Sequence, residues 1–374
     1  MEDEQNIREK RIRKVIQLYY SKPEIQKAIF EFSKNREICP RYFDSFGKRP
    51  DSLQYPGDVF ELVRKGATSL HCSEELWEDP LRIITGMSEE QANKLRVGWD
   101  LLIDIDSKYI DYSKVSAELI IKILKFHGVK NIGIKFSGSK GFHIIVPWKA
   151  FPKEINGVKT SDMFPEWPRI ISKYIIKQTE EQLIERVTKL ANSSKYVKDF
   201  QASKEVMPDI VLVSPRHLFR MPYSLHEKTS LASIVLNSEE IKNFELKDAD
   251  PLKVKIKNFM PDSKDGEASE LLIQALDWYK EQDSKTEREQ KSFEPVKLTN
   301  LSEDNYPPCI KKILNGLSDG RKRALFILIN LLGLLVWREM SLKKKFMSGI
   351  KKMKSLLIIH ILNLNFPGLI RKNQ

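Results

Sequence analysis

The chain has 374 residues, 63 of them Lys or Arg and 51 Asp or Glu, for a formal net charge of +12; at 41% apolar and 30% charged it is too ordinary in composition to be disordered throughout. Three scattered cysteines, Cys39, Cys72 and Cys309, exclude a disulfide scaffold, and the charged start has no apolar signal core. The longest apolar run, 324–337, falls short of the ~20 residues a membrane span needs, so the reading is a cytoplasmic protein of two or three domains with no membrane contact, whose basic excess suits a polyanion such as nucleic acid.

In chain order, residues 4–33 repeat apolar side chains at three- and four-residue intervals, and Pro23 opens a second helix within them. Residues 34–95 are broken by Pro40, Pro50, Pro56 and Pro80 and read as loops and short pieces around one or two strands. Residues 99–106 predict a buried strand, 114–127 a helix closed by Gly128, and 132–136 and 142–146 two strands flanking a glycine-rich turn. A helix over 164–190 and strands over 209–213 and 233–236 follow. The stretch 280–300 is dominated by charge and predicts a linker. The expected architecture is an α/β (α+β) domain over 1–279 with a mixed central sheet and flanking helices, then the linker, then a small helical segment over 301–374.

Three segments carry chemistry. Asp104 and Asp106 are two apart, which on a strand sets both carboxylates on one face, and paired oxygen donors suit Mg²⁺ or Mn²⁺. The alternative is a solvent-facing strand end. The turn Ser137, Gly138, Ser139, Lys140, Gly141, followed by His143, combines tight-turn glycines with hydroxyl and cationic donors suited to phosphate, although it is neither a P-loop nor G-x-G-x-x-G. A lysine-bearing hairpin turn is its simpler reading. The third segment, 209–229, places Asp209 ahead of Arg216, His217, Arg220, His226 and Lys228. An acid with cations nearby fits phosphoryl transfer, in which acids hold metal and cations hold a triphosphate, and the alternative is an ordinary charged surface loop.

In this order the three segments resemble the catalytic small subunit of archaeal and eukaryotic replicative primases. The family's D-x-D is matched by Asp104 and Asp106, and its S-G-x-x-G-x-H by Ser137, Gly138, Gly141 and His143. Its third acid precedes H-L-(I/L)-(R/K)-x-P-x-S-(L/V)-H-x-K-T, which here reads HLFRMPYSLHEKT from His217 to Thr229. An upstream N-R-E matches Asn35, Arg36 and Glu37. The resemblance covers residues 30–236. It implies that Asp104, Asp106 and Asp209 are catalytic acids holding two Mg²⁺ or Mn²⁺ ions. It also implies that Ser137, Gly138, Lys140, Gly141, His143, Arg220 and His226 bind the nucleotide, and that Arg49 contacts template or nucleotide.

The chain departs from the pattern in four places. Asp209 stands one residue short of the usual distance from His217, and Ser214 interrupts the run between them. The zinc knuckle usual near the two-aspartate motif has no cysteines here, so zinc is not expected. Residues 306–333 resemble the start of the primase large subunit's C-terminal domain, with Cys309 at the first iron–sulfur position, but no cysteine follows, so no cluster is expected. Residues 340–374 hold eight basic and no acidic residues, which fits either a reading-frame change near Asn330 or a native basic tail that binds nucleic acid.

The function the resemblance implies is a primase catalytic subunit that makes short primers from nucleoside triphosphates on single-stranded DNA, partnered by a large subunit. The alternatives are a repair or end-joining polymerase of the primase-polymerase superfamily and a non-catalytic nucleic-acid-binding subunit with a degenerate site.

Overall fold

The computed structural model describes residues 13–193, 213–290 and 306–315, together with 323, 324 and 327. The chain divides into two compact units, Met1–Gln290 and Lys291–Gln374. In the first unit, α1 (13–20) and α2 (Pro23–Ser33) are the two expected N-terminal helices. Pro23 sits in the first turn of α2, where its missing N–H costs nothing, and Ile25, Ile29 and Phe32 form the buried stripe.

Residues 38–99 hold more order than their prolines suggest. β1 (Ile38–Tyr42), β2 (Ser45–Phe46), α3 (Asp58–Arg64) and β3 (Ser69–Ser73) are followed by β4 (Glu75–Trp77), α4 (Glu89–Leu95) and β5 (Arg96–Trp99). Helix α4 opens on a capping box, in which Ser88 Oγ accepts from the Gln91 amide while the Gln91 side chain accepts from the Ser88 amide. Strand β3 pairs with β1 on one side and with β11 (Leu218–Arg220) on the other, so the first sheet runs β11-β3-β1-β2.

The second sheet is built from the segments the sequence marked. β6 (Leu101–Ile105) leads through α5 (Ile110–Phe126) to the hairpin of β7 (Gly133–Phe136) and β8 (Phe142–Val146). The small hairpin β9 (Glu154–Ile155) and β10 (Val158–Lys159), the long helix α6 (Glu166–Ser193) and finally β12 (Val235–Leu236) complete the set, and the sheet order is β12-β7-β8-β6. The class is α+β, as expected. The sheet is not mixed in its pairing, because every ladder among the described residues is antiparallel. β6 and β7 run in the same direction, as a strand–helix–strand unit requires, but β8 is inserted between them and pairs antiparallel with both.

Helix α5 packs on α6, and α6 on the helix Ser269–Gln290. That last helix runs through 280–290, the first half of the stretch read as a linker. The two sheets share one hydrophobic core in which Leu70 and Phe219 of the first join Ile103, Phe136 and Ile144 of the second. At the seam, β3 passes into β4 through Glu74 and β5 into β6 through Asp100, and the Asp100 amide donates to the Glu74 carbonyl at 3.0 Å.

In the second unit the helix Pro308–Asn315 is described, with Cys309 exposed. Most of the run 324–337 and all of the basic tail lie outside the described residues, as does the predicted strand 209–212. No helix among the described residues is long and apolar enough to cross a membrane.

Candidate active site

Two glycines bring the three chemistry-bearing segments together. The turn between β7 and β8 is closed by Ser137, whose amide donates to the Gly141 carbonyl at 3.0 Å and whose Oγ accepts from the Gly141 amide at 3.2 Å. A Cβ at Gly141 would lie 2.0 Å from the Ile105 carbonyl oxygen and 3.3 Å from Asp106 Cα, so only glycine lets the turn lie against the end of β6. Gly138 has a φ of 107°, and a Cβ there would meet His226 Cβ at 2.9 Å. Thr229 Oγ1 donates to the Gly138 carbonyl at 2.7 Å. The turn is thereby held between the two-aspartate strand and the 226–229 segment. Lys140 is exposed at its tip.

Across the second sheet, Asp104, His143, Lys135 and Val235 stand opposite one another on successive strands, which places them in one row on one face. The Asp104 side chain is 22% exposed, and His143 Nε2 lies 3.4 Å from its Oδ1. Burial, reinforced by Lys135 and Arg220, holds His143 well below the usual imidazole range. The neutral ring is therefore favoured, with its Nε2 facing Asp104. Its Nδ1 is buried with no hydrogen-bond partner among the described residues. Phe219 of β11 covers this face, its ring centroid 5.9 Å from that of His143. Asp106, just past the end of β6, is exposed and accepts from the Ser107 amide at 3.0 Å.

Lys135 carries no motif and was not expected at the site. It is fully buried, donates to Ser233 Oγ at 2.8 Å and lies over the rings of Phe219 and Phe259. Burial, with Arg220 adding to it and Asp104 opposing it, pushes the amine down to about 7. Its ordinary value is 10.5, so the folded chain holds this proton less tightly than the unfolded chain does. The cost of burying the charge is present in full below pH 7 and is relieved as pH rises toward 10.5. Relative to Lys135→Met, the parent protein is expected to gain on the order of 2–4 kcal/mol of stability between pH 7 and 10. Urea unfolding of both proteins across that range checks this, and a constant gap contradicts it.

Arg220 is turned into the protein, whereas His226 stands against the glycine turn at Gly138. Arg220 is buried, and its guanidinium donates to the Leu225 carbonyl and to Glu227 Oε2, each at 2.7 Å. Glu227 also pairs with Arg41 at 3.2 Å. Arg220 thus anchors the turn that presents His226 and adds positive charge behind it. His226 is half-buried, and its Nδ1 accepts from the amides of Lys228 and Thr229 at 3.2 and 3.3 Å, which leaves the neutral ring's proton on Nε2. Burial and Arg220 push its pKa down to about 4.

The N-R-E segment divides into two structural tasks. Arg36 is buried at the seam between the sheets, bonded to Asp100, to the Ser73 carbonyl at 2.9 Å and to the Phe32 carbonyl at 3.1 Å. Glu37 is fully buried and is gripped by Arg49 and by Arg216. Arg49 is therefore away from the glycine turn's own contacts and belongs to a separate ion cluster. The signal for that cluster in the sequence was the basic segment 216–228, but its acidic partner lies 179 residues away from Arg216.

Asp104 and Asp106 offer the hard oxygen donors that Mg²⁺ or Mn²⁺ takes, and in donor chemistry they fit such an ion. Among the described residues no group of three or more His, Cys, Asp or Glu could hold a metal. Asp209, expected as the third carboxylate, lies outside the described residues.

Comparison with known proteins agrees with the motif reading. Residues 103–238 match the family model for the DNA primase small subunit. The chain is 24% identical over 210 residues to the DNA primase small subunit PriS of Pyrobaculum calidifontis, covering 48% of this chain and 64% of PriS. It is 38% identical over 122 residues to an uncharacterized protein of Methanocaldococcus jannaschii, covering 32% of this chain and 26% of that protein. The chain thus spans less than two thirds of either relative. Among solved structures it is similar to the polymerase domain of Mycobacterium tuberculosis ligase D in complex with DNA, at 14% identity and a TM-score of 0.38, covering 69% of this chain and 86% of that one. Residues 103–238, which hold the two-aspartate strand, the glycine turn and the 226–229 segment, are thus similar to the DNA primase small subunit.

Proposed function

We propose that the chain is a DNA-templated nucleotidyltransferase that starts short primers from nucleoside triphosphates on single-stranded DNA during replication. The observation that carries this reading is the convergence of the glycine turn on both the Asp104–Asp106 strand and the 226–229 segment, through the Gly141 contact with Ile105 and the Thr229 bond to Gly138.

In this reading Asp104 and Asp106, with Asp209, hold Mg²⁺ or Mn²⁺, which when bound lowers the pKa of the attacking hydroxyl and neutralises charge on the leaving pyrophosphate. The turn's backbone amides, the Ser137 hydroxyl and the Lys140 amine receive the triphosphate, whose charge needs donors that are already in place. His226 adds an Nε2–H donor held in one tautomer by the two amides on Nδ1. His143 orients Asp104 from behind, and Arg220 acts through the turn that carries His226. The template lies along basic surface with salt-dependent affinity, and a primase large subunit is the partner that the likeness to a small subunit supports.

The test supplies labelled ribo- or deoxynucleotides and a single-stranded template to the purified chain, with and without an annealed primer. Metal-dependent products in the absence of primer are expected. Products only from an annealed primer favour an end-extending polymerase instead, and no product under either condition contradicts nucleotidyl transfer.

A further inference from the structure

We propose that Arg216 and Arg49 form a paired guanidinium site for phosphate, and that Glu37 is the positioning residue that holds the pair. This rests on the nucleotidyltransferase reading for its location, and it adds Glu37 and gives Arg216, one cation of a basic segment, a defined partner and place.

The Glu37 carboxylate is wholly buried and lies between the two side chains. Its Oε1 accepts from Arg49 Nε at 2.9 Å and from Arg216 Nη2 at 2.7 Å; its Oε2 accepts from Arg49 Nη2 at 3.1 Å and from Arg216 Nε at 3.3 Å. Both guanidiniums are therefore engaged in bidentate fashion by one anion, and each is fixed in plane as well as in place. A third link ties the pair directly, since Arg49 Nη2 also donates to the Arg216 carbonyl at 2.5 Å.

The Arg216 backbone is held just as firmly. Its amide donates to Glu75 Oε2 at 2.6 Å, and its φ is 59°, in the left-handed region that arginine seldom adopts. Strain of this kind persists where the surroundings over-determine a residue, and it gathers at ligand sites.

One carboxylate facing two guanidiniums leaves the cluster with a positive charge. The two side chains are 30% and 23% exposed, and among the described residues neither Nη1 makes a hydrogen bond. A rigid, partly exposed pair of N–H edges carrying net positive charge is the donor set that phosphate oxygens match. Its place is at the entry to β11, the strand that begins two residues after Arg216 and whose Phe219 ring lies 5.9 Å from that of His143. The phosphate comes either from the nucleotide or from the nucleic-acid backbone, and the experiment separates the two sources.

The experiment measures equilibrium binding by the full chain, with no synthesis required, of two probes. One is a labelled single-stranded oligonucleotide over a range of salt, and the other is a nucleoside triphosphate. Arg216→Ala is expected to weaken binding of at least one probe about tenfold or more. If the strand is the source, the oligonucleotide's salt slope also falls by about 0.7 for each phosphate that the variant no longer neutralises. Glu37→Gln gives the sharper result, since removing a negative charge tightens binding if only net charge matters and weakens it if Glu37 positions the pair. Arg216→Lys keeps the charge and the exposure, loses the fork, and is expected to weaken binding in the same direction should Glu37→Gln fold poorly.

The proposal is overturned if Arg216→Ala and Arg216→Lys both bind the two probes as the parent does, if a folded Glu37→Gln binds more tightly, or if the parent binds neither. A parent that binds both probes and makes no product contradicts the proposed function and leaves this site standing. A parent that makes primers while the variants bind normally does the reverse.

Discussion

Asp104→Asn is expected to lower nucleotide incorporation by about a thousandfold or more while leaving the protein folded. A single preorganised electrostatic group in a catalytic site is worth about 10²–10³ in rate, and loss of a metal ligand acts on every charged oxygen of the transition state at once. The fold has little at stake, because Asp104 is near the end of a strand and 22% exposed, and asparagine keeps its size and an oxygen facing His143. Unfolding by urea is expected to shift by about 1 kcal/mol or less, as for a partly exposed polar change. Asp106→Asn, at an exposed position beyond the strand, is expected to behave alike. Single-turnover incorporation alongside urea unfolding separates the two effects, and activity within tenfold of the parent contradicts the assignment.

Gly141→Ala is expected to damage both stability and activity. The new methyl would sit 2.0 Å from a backbone oxygen and 3.1 Å from its carbon, and neither can swing aside as a side chain could. The turn must back away from β6, breaking the Ser137 closure or bending the Ile105–Phe142 register. Overpacking of this kind costs about 1–3 kcal/mol or more. The same retreat moves Lys140 and the turn amides relative to Asp104, and a displacement of about 1 Å in a reacting geometry costs roughly a hundredfold in rate. Ser139→Ala, in the same turn but half-exposed, is the control and is expected to change neither by much. Equal stability for the two variants would mean the turn does not pack on β6.

The second sheet was legible because local signals agree there. WDLLIDID is a short apolar run, α5 carries the helical period, and Ser137–Gly141 is rich in turn residues. The first sheet was hidden by its own chemistry. Strand β3, Ser69, Leu70, His71, Cys72 and Ser73, does alternate polar with apolar residues, but it is only five residues long and its buried face carries no large apolar side chain besides Leu70, so it is too short and too polar to stand out as a strand. Pro40 lies within β1, and β11 is only three residues long. The antiparallel insertion of β8 between β6 and β7 is a tertiary choice that no local pattern encodes.

The site was legible to the same degree and for the same reason. Motif spacing gave Asp104, the turn and His226, which the fold brings together. Arg220 and Arg49 came from the resemblance, and their ion partners give the physical reason for where each stands. Arg220 answers Glu227 seven residues on, while Arg36 answers Asp100 at a separation of 64. Lys135 sits in a strand that otherwise reads as apolar, and only the buried Ser233 hydroxyl and the neighbouring Asp104 explain a lysine there. The charged stretch from 280 looked like a linker because the helix Ser269–Gln290 carries few apolar residues in its second half.

The most direct measurement is unprimed synthesis on single-stranded DNA by the parent and by Asp104→Asn, side by side, with labelled nucleotides and Mg²⁺ or Mn²⁺. The account predicts short oligonucleotides from the parent that vanish on chelation of the metal, and none from the variant. Equal product from both proteins, or none from a folded parent with either metal, would contradict it.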